Sequence, residues 1–341
     1  MASPGWGGDT LSNIVQVFDV PENPGREGGE IKTAAGTAQG GHETVTMPSA
    51  PSPRIPPARR RAVHRSAAVA LGLAGLLVGA TAAPTTSAAA PTWAPAATAT
   101  IKPGVQTFTD GAQCTANFIF TDATDVYIGQ AAHCSGTGQA TETNGCQAGS
   151  LPLGTPVEVT GASEPGTLVY NSWLTMQAIG ETDPDACQYN DIALIELDPA
   201  DHAEVNPSIP NYGGPVGVGD DTAAGEIVYS YGNSSLRGGI TFLSPKTGTS
   251  LGTDGNGWNH PVYTLTPGIP GDSGSAFVDK DGKAIGVLST LALAPLPLSN
   301  NVSDLGHMLD YLHAHGGPDV RLANGTEAFT PTLIGLVPLG L

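Results

Sequence analysis

From residue 91 onward, glycine and proline interrupt this chain about every eight to twelve residues, the spacing expected of a protein built from many short strands. The runs between them are short and rich in β-branched and aromatic residues: "NFIFTD", "DVYIGQ", "PVEVTG", "TLVYN", "IALIEL", "EIVYSYG", "PVYTLTP", "SAFVD" and "AIGVLST". Runs this short, cut by turn residues, predict an all-β sandwich or barrel. "FVDKDGKAIGV" reads as a hairpin turning at Asp281-Gly282. Its Asp-x-Asp-Gly lacks the loop length and closing glutamate of a calcium site. One segment, "VSDLGHMLDYLHAHGG", reads as a helix, with Ser303 as the cap, Asp304 at the positive end and Gly316-Gly317 as the stop. The final "TPTLIGLVPLGL" is apolar but too short and proline-broken to span a bilayer, and is expected to pack on the domain.

The first ninety residues have another character. Arg54, Arg59, Arg60, Arg61 and Arg65 precede the apolar run "SAAVALGLAGLLVGATAA", and small residues offering Ala-x-Ala cleavage follow near Ala88 to Ala90. Basic, apolar, then small is the order of a secretory signal peptide, assigned here to 47–90. A membrane anchor is the alternative, but the run is short and alanine-rich. Residues 1–46 lack periodicity and lie ahead of Met47, so they read as a disordered leader or a mis-assigned upstream start. This leaves 91–341 as one domain.

The chain carries 13 Lys/Arg against 31 Asp/Glu, a formal net charge of −18. Such a surface repels phosphate backbones and anionic lipid, so neither nucleic acid nor a stable membrane partner is expected. All four cysteines, Cys114, Cys134, Cys146 and Cys187, lie in the exported part, where an even count reads as two disulfides. Four cysteines allow three pairings.

Three local words carry chemistry. "GQAAHC" puts His133 after a β-run and two small residues that permit a tight turn, with Cys134 able to staple that turn to the strand beginning at Cys114. "QYNDIALIEL" puts Asp191 at the head of an almost wholly apolar run. A carboxylate there is costly unless hydrogen-bonded, and an imidazole N–H is a suitable donor. Cys187 lies nearby and could bridge to Cys146. "TPGIPGDSGSAF" sets Ser273 in a glycine-rich turn beside Asp272. A serine is a useful nucleophile only with a base and a group that orients the base.

The order His133, Asp191, Ser273, in the words "AAHC", "NDIALIEL" and "GDSGS", resembles the chymotrypsin-like (trypsin-fold) serine proteases of the secreted bacterial type. The resemblance spans roughly Gln113 to Gly316. It implies two six-stranded antiparallel β-barrels with a C-terminal helix. It implies Ser273 as nucleophile, His133 as general base and then acid, and Asp191 as the group that holds the histidine tautomer. The backbone N–H groups of Gly271 and Ser273 would form the oxyanion hole. Residues Pro267, Gly268, Ile269 and Pro270, with Ser289, Thr290 and Leu291, would line the first subsite. None is charged, so small or medium apolar side chains are expected before the cut bond, with Leu291 narrowing the slot. Ser289 would also support Asp191. The pairings Cys114–Cys134 and Cys146–Cys187 then each close a loop beside one member of the triad.

The sequence departs from the family's commonest words at Gln130, where threonine or serine is usual, and at Ser275, where glycine is usual. No Arg or Lys precedes an Ile-Val-Gly-Gly-like start, so the inward Asp272 charge that the resemblance implies calls for a side-chain cation, the alternative being a carboxylate held by backbone N–H groups with a solvated Arg237. The exported part offers Lys102, Arg237, Lys246, Lys280, Lys283 and Arg321, and Arg237 in "YGNSSLRGG" is the expected partner.

Two other functions fit parts of the pattern. "GDSG" with "DLGH" (Asp304 to His307) mimics a flavodoxin-like serine esterase, but the intervening residues read as strands. A protease-fold binding module is the non-catalytic alternative, although such modules usually lose a triad member. His202, His260, His313 and His315 have no ligand spacing and read as surface or loop residues. No metal or cofactor is expected, the partner is a polypeptide substrate, and the chain is expected to be a secreted monomer.

Overall fold

The computed structural model describes residues 15–16, 91–138, 142–292 and 299–332. The segment 47–90 expected to be a signal peptide, residues 333–341, and residues 1–46 apart from Val15–Gln16 lie outside the described residues. Strand β1 (Val15–Gln16) pairs antiparallel with Leu291 and Ala292.

Seven strands and a returning eighth form the first sheet. These are β2 (Gln106–Thr109), β3 (Ala112–Thr115), β4 (Ile119–Thr121), β5 (Val126–Gln130), β6 (Pro156–Val159), β7 (Gly166–Asn171), β8 (Ala193–Glu196) and, from the C-terminal end, β15 (Arg321–Leu322). Their order is β15-β4-β5-β8-β7-β6-β2-β3, every neighbour antiparallel. The β2–β3 turn holds Asp110 at φ 49° and Gly111 at φ 86°, the doubly left-handed geometry that tight hairpins favour in Asp-Gly. The second sheet comprises β9 (Ile227–Tyr231), β10 (Pro245–Ser250), β11 (Asn259–Thr264), β12 (Ala276–Val278), β13 (Ala284–Ala292) and β14 (Ser299–Asp304). It closes on itself in the order β12-β9-β10-β11-β14-β13, the last pairing back to β12.

The second half is thus a closed six-stranded barrel, whereas the first is an eight-stranded curled sheet whose end strands β3 and β15 do not pair with each other. The all-β arrangement of two barrels with a C-terminal helix that the resemblance implies is present, the second barrel closed at six strands and the first a curled half-barrel edged by β3 and β15.

The apolar runs are nearly continuous because both faces of a strand are covered. On β8, Ala193 and Ile195 pack inside the curled sheet with Ile119, Ile128, Val157 and Leu168, while Leu194 joins a second cluster. That second cluster contains Phe118, Phe120 and Ile192 from the first half with Tyr229, Val278 and Val287 from the second, so it binds the halves together. Phe277, between Ala276 and Val278, turns the other way into the barrel with Val228, Val262 and Val302.

Among the described residues there are three α-helices: α1 (Ser172–Ile179), α2 (Pro184–Tyr189) and α3 (Leu305–Ala314). The first two extend the sequence reading, which found only the third. On α3, Leu305, Met308, Leu309 and Leu312 share one face and pack on the interdomain cluster. Its cap is Asp304, whose carboxylate accepts from His307 N at 2.7 Å. Ser303, one residue earlier on β14, does not cap the helix. Two disulfides are formed, Cys114–Cys134 and Cys146–Cys187.

Candidate active site

β5 ends at Gln130, and the buried pair Ala131-Ala132 turns the chain into a 3-10 turn over Ala132–Ser135 that carries His133. Small side chains allow the turn to press against its neighbours, and Cys134 anchors it to β3 through Cys114. A further anchor is Asn171, the buried cap of α1. Its Nδ2 donates to Ala132 O at 3.1 Å while its Oδ1 accepts from Trp173 N at 2.9 Å.

Asp191 stands two residues ahead of β8 and is 2% exposed. It receives three hydrogen bonds: His133 N to Oδ1 at 2.9 Å, His133 Nδ1 to Oδ2 at 2.7 Å, and Ser289 Oγ to Oδ2 at 2.6 Å. Burial by itself would raise the Asp191 carboxyl. The His133 ring, with Ser289 and the His133 N–H, outweighs burial and holds the group below its ordinary 3.8. The remaining ring nitrogen, His133 Nε2, is buried and has no hydrogen-bond partner among the described residues.

Ser273 lies in the turn between Ile269 and β12. Asp272 N donates to Ile269 O at 2.9 Å and Ser275 N to Asp272 O at 3.0 Å, so two tight turns meet at Asp272 and Ser273 is the second residue of the latter. Gly271 (φ 91°) and Gly274 (φ 85°) take the left-handed values these turns require. Gly274 is also a point of close approach. A Cβ there would sit 2.6 Å from Thr115 O and 2.9 Å from Ala131 N, so the serine turn packs directly against the strand leading to His133. Neither Gly271 N nor Ser273 N donates to a protein acceptor among the described residues.

Asp272 is fully buried. Arg237 Nη2 donates to its Oδ2, and Lys246 Nζ lies 3.1 Å from the same oxygen. Lys246, one of the six candidate cations, is a second partner of Asp272 beside the expected Arg237. It sits on β10 with its side chain wholly buried, and it also donates to Thr266 O at 3.0 Å and Pro267 O at 3.3 Å. Burial pushes the Lys246 ammonium down from 10.5 and Arg237 adds to that, while Asp272 opposes both. Signals for Lys246 were faint. A lysine in a short β-run is ordinarily a solvated edge residue.

Of the residues assigned to a first subsite, Gly268 N donates to Asn300 Oδ1 at 3.1 Å, which ties that wall to β14. Ser289 and Thr290 are buried on β13, and Leu291 is half-buried against the barrel's interior cluster. His260, expected at the surface, is instead buried on β11. Its Nε2 meets Asp304 Oδ2 at 2.8 Å, and Thr222 and Thr253 hydroxyls lie 3.1 Å from Nδ1. Asp304 thus serves His260, His307 and the start of α3 together. Among the described residues, the group of metal-ligand type is Cys114, His133 and Cys134, but its two sulfurs are joined in a disulfide and are not thiolates.

Asp191 and Asp304 set an acid limit on stability. Burial alone would raise Asp304 too, but hydrogen bonds from His260 and from the N–H and ring of His307 bring it below 3.8. Folded values below the unfolded one mean that this stability is present above about pH 4 and is lost as pH falls through the lowered values. Denaturant midpoints measured at pH 6, 4 and 3 should fall steeply over the last interval, and less steeply in Asp304→Asn. Identical profiles for the two proteins would contradict this.

No family model and no curated protein matches the chain. Solved structures do. Thermobifida fusca protease A matches at 15% identity and TM-score 0.42, covering 66% of this chain and 99% of that one. A glutamic-acid-specific serine protease matches at 16% identity and TM-score 0.42, covering 65% and 100%. The chymotrypsin of Cellulomonas bogoriensis matches at 16% identity and TM-score 0.38, covering 65% and 98%. The likeness to these chymotrypsin-like serine proteases is one of fold, at low identity.

Proposed function

We propose that the chain is a secreted serine endopeptidase that cuts peptide bonds through an acyl-enzyme on Ser273. The observation that carries this reading is the buried Asp191 carboxylate bound to both N–H groups of His133, with His133 Nε2 left unpartnered. That arrangement fixes the tautomer in which Nε2 is the free base. An Nε2 without a bond to the serine in a substrate-free chain is ordinary, since such bonds tighten when substrate binds.

In the reaction, Ser273 Oγ attacks the scissile carbonyl carbon as its proton passes to His133 Nε2. The carbonyl oxygen becomes an oxyanion held by the free N–H groups of Gly271 and Ser273. The C–N bond breaks, and His133 gives the proton to the departing amine. Water then repeats the sequence on the ester and releases the acid and Ser273. Asp191 stays ionised throughout and stabilises the imidazolium.

The first subsite would be lined by residues 267–270 and 289–291, all uncharged. Small or medium apolar side chains should therefore precede the cut bond. Export is supported by two formed disulfides and by the signal-like segment 47–90. Two measurements test the reading. A fluorophosphonate should label Ser273, and a peptide library should be cut after alanine, valine or leucine far more often than after arginine. An unlabelled chain would favour the binding module. Labelling with ester but no peptide cleavage would favour the esterase, and an arginine preference would refute the pocket assignment.

A further inference from the structure

The oxyanion hole of this reading depends on which way one peptide faces, and Ser234 holds that peptide. Ile269, Pro270, Gly271 and Asp272 form a turn closed by Asp272 N to Ile269 O at 2.9 Å, with Gly271 at φ 91° in its third position. This is the type II form, which has proline second and glycine third. With glycine third, the type I form is also open to the chain, and the two differ by rotation of the Pro270–Gly271 peptide. In a trans peptide the C=O and N–H point opposite ways. Rotation would therefore withdraw the Gly271 N–H and swing the Pro270 oxygen into its place.

Three side chains bear on this choice. Gln113 Nε2 and Thr115 Oγ1 both donate to Gly271 O, at 2.9 and 2.7 Å, and fix the peptide on the far side of Gly271. They do not touch the Pro270–Gly271 peptide. Ser234 does, because its Oγ donates to Pro270 O. The hydroxyl has one proton to give, and its acceptor side takes Leu236 N at 3.1 Å. Ser234 is almost wholly buried, and its own N–H donates to Asp272 Oδ1 at 3.1 Å. The same residue thus caps the 3-10 turn carrying Arg237, binds Asp272 and grips the carbonyl behind the Gly271 N–H.

We infer that Ser234 is a positioning residue for catalysis: by donating to Pro270 O it selects the turn in which the Gly271 N–H is free to bind the oxyanion. The inference rests on Ser273 being the nucleophile. Loss of the hydroxyl removes the side-chain donor from the half-buried Pro270 carbonyl and lets the rotated peptide compete. If the rotated form becomes nine-tenths populated, the rate falls about tenfold, and complete loss of one oxyanion donor sets a limit of about a hundredfold to a thousandfold.

The test uses the full chain in four versions: wild type, Ser234→Ala, Ser234→Thr and Ser234→Cys. Ser234→Ala should lower kcat on a peptide amide about tenfold to a hundredfold, with KM within about twofold. It should weaken a peptide aldehyde, which forms a tetrahedral oxyanion on Ser273, by the same factor. Binding of the matching product acid should not change. Ser234→Thr, which keeps the hydroxyl, should restore most of the rate. Should Ser234→Ala fail to fold, Ser234→Cys supplies a weaker donor of similar size and should fall between serine and alanine in kcat. An active wild type with unchanged kcat and aldehyde affinity in the alanine or cysteine variant overturns this inference alone. A loss confined to KM, or a loss that threonine does not reverse, also overturns it. A wild type that neither cuts peptides nor reacts with fluorophosphonate overturns the endopeptidase reading and this inference with it.

Discussion

Ser273→Ala should lower turnover on a peptide amide by around a million-fold while leaving the fold intact. The size follows from the chemistry. In the proposed mechanism no acyl-enzyme forms without Oγ, and what would remain is the modest help that the Gly271 and Ser273 N–H groups would give to direct attack by water. Stability should hardly change, because Ser273 is held by its backbone: Thr115 N donates to Ser273 O at 2.8 Å whatever the side chain. His133 and Asp191 should act as a unit with the serine, so adding His133→Ala to Ser273→Ala should cost little more. The measurement is single-turnover hydrolysis, with thermal unfolding of both variants beside it. Full activity in Ser273→Ala would remove the proposed chemistry altogether.

The parts of this molecule legible in sequence are those whose signal is local. Short β-runs cut by glycine and proline gave the all-β class, and the words around His133, Asp191 and Ser273 name side chains whose backbones are bent by their immediate neighbours. Contacts across long separations were harder to read. Asn171 grips the His133 turn from 39 residues away, and Gln113 reaches Gly271 across 158. An asparagine in "VYNSW" or a glutamine in "AQC" carries no mark of either task. Helix α1 was legible in principle, since Asn171 can cap it and Gly180 (φ 70°) ends it in a left-handed turn. Its eight residues are hidden because a run that short between strands resembles another strand. His260 was misread because an isolated histidine is usually exposed, whereas here Asp304 and two threonines satisfy both ring nitrogens in the interior.

Asp272→Asn should be the most damaging single change to stability outside the apolar core. The native carboxylate faces two cations, Arg237 and Lys246, and also accepts from Ser234 N at 3.1 Å and Ile269 N at 3.2 Å. An amide of the same shape keeps the space filled but leaves two buried cations facing each other with no counter-charge. Breaking a buried ion pair from one side costs about 3–5 kcal/mol, and a domain of this size loses roughly 2–4 °C of melting temperature per kcal/mol. A fall on the order of 10 °C is therefore expected. The Lys246 ammonium can shed its proton and so relieve the repulsion. Burial and Arg237 already press Lys246 below 10.5, and the variant removes the one group that resists them. A lysine whose folded value is lowered binds fewer protons folded than unfolded. Stability therefore rises with pH between that lowered value and 10.5. Asp272→Asn should thus recover part of its loss as pH rises from 7 to about 10, and Asp272→Asn with Lys246→Met should be more stable than Asp272→Asn alone at pH 7. Melting curves of the three proteins at both pH values decide it. If Asp272→Asn melts within a degree or two of the wild type, the buried charge cluster is not what holds the serine turn.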